Sequence, residues 1–75
     1  MDTRTLSAIV YTLSRKDIFQ GRGRIILSDF KKTIGEPNLT AQEVIDAFKT
    51  FYPQYKIEQR TENVILIHFE IIKTP

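Results

Sequence analysis

Apolar residues enter the chain with helical spacing. Leu6, Ile9, Val10 and Leu13 stand at i, i+3, i+4 and i+7, which predicts a first helix over residues 5–15. Asp2 or Thr3 can cap its start, and Arg15 and Lys16 suit the negative end of its dipole. Ile18-Phe19 reads as a short apolar anchor, and Gln20-Gly21-Arg22-Gly23 as a turn in which two glycines give the backbone freedom. The β-branched run at 24–27 predicts a brief strand. Ser28 is the expected N-cap of a second helix over 29–34, with Phe30 and Ile34 facing inward and Lys31 and Lys32 outward. Gly35 should end that helix, and Pro37 prevents its continuation.

The third helix has the strongest local signature. Thr40-Ala41-Gln42-Glu43 has the form of a capping box, and Leu39 and Val44 occupy the two positions of a hydrophobic staple. Ala41, Ile45, Phe48 and Tyr52 form its apolar stripe, flanked by Val44 and Phe51, and Pro53 stops it. Gln42, Glu43, Asp46, Lys49 and Thr50 are left for solvent or a partner. Tyr55 and Ile57 alternate with Lys56 and Glu58 as a half-buried strand, and residues 60–63 read as a hairpin turn. A longer strand over 64–72 closes the pattern. Ile65, Ile67, Phe69 and Ile71 make its apolar face, and Val64, Leu66, His68, Glu70 and Ile72 make the mixed one.

Composition narrows the class. Seventy-five residues make one domain, 1–75, with a small core. The absence of cysteine excludes a disulfide scaffold and thiolate metal sites. No apolar run is long enough to span a membrane, and Met1-Asp2-Thr3-Arg4 reads as no leader, so a cytoplasmic domain is expected. The net charge of +2 is unevenly placed. Residues 15–32 carry six cations against two carboxylates, whereas 33–75 carry four against six. The basic block favours an anionic partner, and a solvated basic face is the plainer reading. With one histidine, His68, and no glycine-rich phosphate loop, no catalytic, metal or cofactor site is expected.

The order helix, strand, helix, helix, hairpin over about residues 4–72 resembles the winged helix-turn-helix superfamily. The resemblance implies an α+β fold, a three-helix winged helix-turn-helix with a C-terminal β-hairpin wing, in the order α-β-α-α-β-β. It implies a small protein that binds double-stranded DNA, as a transcriptional regulator or a replication or plasmid accessory factor. Helix three would enter the major groove through Thr40, Gln42, Glu43, Asp46, Lys49 and Thr50. Gln42 would be the base reader, since its amide can pair bidentately with adenine. Lys56 and Arg60, with Thr61 and Asn63, would form the wing. Ser28 and Lys31 would meet phosphate near the start of helix two. The Gly21-Arg22-Gly23-Arg24 run resembles an AT-hook core, although Ile25 stands where that motif has proline, so Arg22 and Arg24 would lie on phosphates or in a narrow minor groove. A surface turn with incidental arginines is the competing reading.

Glu43 and Asp46 outweigh Lys49 on the third helix, and such helices occur in winged modules that bind proteins instead. The alternative expectation is therefore an interaction module with a protein partner at helix three and the last strand. The aromatics Phe19, Tyr11, Phe51, Tyr52 and Tyr55 could also stack on single-stranded bases, although core packing is their commoner use. A homodimer through the last strand or helix one would match two half-sites on DNA.

Overall fold

A computed structural model describes residues 1–16 and 18–69. It contains α1 (Thr3–Arg15), β1 (Arg22–Ile26), α2 (Leu27–Ile34), α3 (Ala41–Phe51), β2 (Lys56–Thr61) and β3 (Val64–His68). The three strands form one antiparallel sheet in the order β1-β3-β2. The architecture is thus α+β in the order α-β-α-α-β-β. The expected positions Glu70, Ile71 and Ile72 lie outside the described residues.

The core follows from the two periodicities. Ile65, Ile67 and Phe69 are buried on one face of the sheet, together with Ile25 and Ile57 from its flanking strands. Leu6 and Val10 of α1 and Val44, Ile45, Ala47 and Phe48 of α3 complete the cluster with Leu27 and Phe30 of α2. Val44, expected at the flank of its helix, is fully buried within the cluster. At one end of the core Tyr11 stacks on Tyr52 with ring centroids 4.7 Å apart, and Phe48 on Tyr52 at 5.0 Å. Tyr55 meets Phe69 edge-on at 4.9 Å, and the Arg15 guanidinium lies 5.1 Å from the Phe69 ring centre.

Local chemistry sets most boundaries. Asp2 caps α1 by accepting from the Thr5 N–H at 2.7 Å, and this bond holds its carboxyl below the usual aspartate value. Gly35 is left-handed at φ 70° and ends α2, with the Glu36 N–H donating to the Lys31 carbonyl at 3.0 Å. The capping box of α3 is present in full. The Glu43 N–H donates to Thr40 Oγ1 at 3.2 Å, and the Thr40 N–H to Glu43 Oε1 at 3.3 Å.

Four expectations need correction. Ile18-Phe19 does not anchor in the core: Phe19 is 74% exposed. It forms one side of a small hairpin with Arg22, closed by two backbone hydrogen bonds of 2.9 and 3.0 Å. Gln20 (φ 54°) and Gly21 (φ 76°) make the two-residue turn, both in the left-handed region that such hairpins need. Gly23 lies in strand β1, not in the turn, because β1 pairs with β3 from Arg22 onward. An added Cβ at Gly23 would sit 2.4 Å from the Ser14 carbonyl oxygen, so this glycine serves the close approach of α1 to the sheet.

The third correction concerns Ser28. Helix α2 begins at Leu27, with Ile26 at the N-cap and no side-chain cap of its own. Asn63, in the β2–β3 turn, supplies the cap from 35 residues away. Its Oδ1 accepts from the Ser28 N–H at 2.8 Å, and its Nδ2 donates to Ser28 Oγ at 3.0 Å. Fourth, the hairpin turn narrows to Glu62-Asn63, because β2 runs on to Thr61 through a bulge that leaves Arg60 as the extra residue. We expect Asn63→Ala to cost about 1–2 kcal/mol, the value of a helix cap with its second hydrogen bond. Because Ser28→Ala keeps the capping N–H, thermal unfolding of Asn63→Ala, Ser28→Ala and the double variant should show a non-additivity of about 1 kcal/mol, that of the Nδ2–Oγ bond. Additive losses would contradict the pairing.

Candidate nucleic-acid interface

The side chains that alternate with the buried isoleucines point away from the helices and form the outer face of the sheet. Its first row is Arg22, His68 and Lys56 across β1, β3 and β2, and its second is Arg24, Leu66 and Glu58. Arg60 joins this face at the bulge, where its guanidinium lies 3.9 Å from Glu58 Oε1. His68 Nε2 lies 3.0 Å from the same oxygen. The His68 hydrogen bond, with smaller help from the charges of Lys56, His68 and Arg60, holds the Glu58 carboxyl below the usual glutamate value. Phe19, Gln20, Arg22, Arg24 and Leu66 line a groove of about 450 Å³ on this face.

The expected site is therefore divided. Arg22, Arg24, Lys56 and Arg60 share the outer sheet face. Ser28 and Lys31 lie on α2, beside the β2–β3 turn. Ser28 has already given its amide and its hydroxyl oxygen to Asn63, so it offers neither the cap nor the open amide expected of it. Thr40, Gln42 and Lys49 belong to α3, with Thr40 committed to the capping box. Gln42 Nε2 donates to Asp46 Oδ1 at 2.8 Å, one helical turn on. That bond explains Asp46, which capping does not. It also means that Gln42 must exchange a partner before reading a base.

The pattern named Phe19 among the aromatics that could stack on bases and His68 as the one histidine, but it did not bring either to the arginines, and it gave Glu58 no role in the site. Phe19 is placed beside the arginines by the Gln20-Gly21 turn, a two-residue hairpin hidden within a longer glycine-rich run. Glu58 and His68 face each other because β2 and β3 are neighbours, and their alternation with Ile57 and Ile67 was the available signal. Among the described residues, no group of three histidine, cysteine or acidic side chains could hold a metal ion, and no helix is long and apolar enough to cross a membrane. Comparisons with protein-family models, with curated proteins and with solved structures found no match to this chain.

Proposed function

We propose that the chain is a small DNA-binding protein of the winged-helix type. One observation carries the reading: two consecutive helices joined at a left-handed glycine are followed by a hairpin whose turn is pinned to the start of the first of them. With the strand order β1-β3-β2, this is the layout expected of a recognition helix beside a wing. In this reading α3 enters the major groove with Gln42 and Lys49, Lys31 approaches phosphate from α2, and Arg60 does so from the hairpin. Gln42 releases Asp46 to meet a base, which makes its contribution one of discrimination more than of affinity.

The test is fluorescence anisotropy on duplex DNA. Lys31→Ala and Lys49→Ala should weaken binding to all sequences alike, and each should lower the slope of log K against log salt by about 0.9. Gln42→Ala should weaken a selected site by about fivefold or more while sparing random duplex. Equal losses on both would remove Gln42 from base reading.

The Gln42–Asp46 bond and the acidic excess on α3 favour a second reading, a winged module whose α3 binds a protein. In that case duplex DNA would not bind even at low salt, and charge reversal at Asp46 would disturb the partner complex.

A further inference from the structure

We propose that the outer face of the sheet is a second binding surface, for single-stranded nucleic acid, with one unpaired base stacked on Phe19. Phe19 is a large apolar ring left 74% exposed, and its position comes from the backbone turn at Gln20-Gly21 and not from contact with the core. Its groove is shared with Arg22, Arg24 and Leu66. Arg22 and Arg24 project from one strand about 6.8 Å apart, and Lys56 stands two strands across from Arg22, about 9.6 Å away. Arg60 adds a fourth cation at the rim.

Among the described residues the carboxylate on this face is Glu58, which lies within hydrogen-bond distance of His68 and faces Arg60, while Arg24 and Lys56 flank it. A flat cationic face around an aromatic ring matches a phosphate chain with accessible bases. Duplex DNA could meet the cations but would present no base face to Phe19. A second copy of the chain would bring the same cations against themselves, since a two-fold interface is self-complementary. Charge complementarity therefore selects an anionic strand with free π-faces.

The surface lies apart from α3 and shares only the rim residue Arg60 with the duplex reading, so variants that leave Arg60 intact separate the two experimentally. Anisotropy of the full chain would be measured with labelled (dT)12 and with a labelled random duplex, for the wild type, Phe19→Ala, Phe19→Leu, Arg24→Ala and Lys49→Ala. Phe19→Ala and Phe19→Leu should each weaken (dT)12 binding by between about fivefold and a hundredfold, with duplex binding changed less than twofold. Arg24→Ala should make the (dT)12 salt slope shallower by about 0.7. Lys49→Ala should affect only the duplex. Because Phe19 is exposed, its variants should keep the wild-type melting temperature, which circular dichroism would check. Unchanged (dT)12 binding in both Phe19 variants would overturn the proposal. So would parallel losses on (dT)12 and duplex, or a polyglutamate peptide that competes as well as unlabelled (dT)12. Loss of (dT)12 binding by Phe19→Ala with retention by Phe19→Leu would also overturn it, since the surface would then be merely apolar.

Discussion

Phe48→Ala will lower the stability of the protein by about 3–5 kcal/mol, the usual cost of emptying a buried phenylalanine site. Phe48 is fully buried: it is among the largest side chains with no solvent access, and its ring packs against both Tyr52 and Tyr55. A domain of this size has a total stability of only about 4–11 kcal/mol. The melting temperature should therefore fall by roughly 15–30 °C, and much of the population should lose its tertiary packing at 37 °C. All three tyrosines of the chain belong to the cluster around Phe48, and there is no tryptophan. Near-ultraviolet circular dichroism thus reports this cluster directly. Phe51→Ala, one turn on at an exposed position, should cost less than about 1 kcal/mol. Similar losses for the two variants would contradict the placement of α3.

Gly23→Ala will be the second most damaging change, although it adds a single methyl group. The new Cβ would fall 2.4 Å from the Ser14 carbonyl oxygen and 2.8 Å from a ring carbon of Phe69. The Phe69 ring is held between Tyr11 and Tyr55, and the Ser14 oxygen is helix backbone, so α1 must shift away from β1. Overpacking of this kind costs about 1–3 kcal/mol, and a backbone obstacle puts the expectation at the upper end. Thermal denaturation should show a fall in melting temperature of roughly 10–20 °C. Gly35→Ala offers an informative comparison: its Cβ would meet nothing within 4 Å, and its cost would come only from the left-handed φ of 70°. A Gly23→Ala protein as stable as the wild type would show that α1 does not press on β1 at this point.

These two positions also mark what the sequence could and could not reveal. Phe48 and the capping box of α3 were legible because both follow from spacing within one helix: an apolar stripe, and an acid three residues after a threonine. The inward face of β3 was legible for the same reason, with period two in place of 3.6. Gly23 was not. Gly21 and Gly23 look alike in the chain, yet one supplies a positive φ and the other a missing side chain under a helix. Only the packing of α1 distinguishes them. Ser28 had every local mark of an N-cap, but Asn63 reaches the start of α2 from the distant hairpin and displaces it from that role. The site was legible as a set of charges and not as a surface. Arg22 and Arg24 were visible as a basic run, but strand pairing decides that they share a face with Lys56 and with an exposed Phe19.

The central claim is that this fold binds duplex DNA through the α2–α3 end and the hairpin. The most direct test is a salt titration of the wild-type protein on a random duplex, followed by anisotropy between about 50 and 200 mM salt. Phosphate contacts from Lys31, Lys49 and Arg60 predict a slope near −2.7 and a loss of about 40-fold in affinity across that range. Absence of binding at 50 mM salt, or binding that does not respond to salt, would contradict the claim.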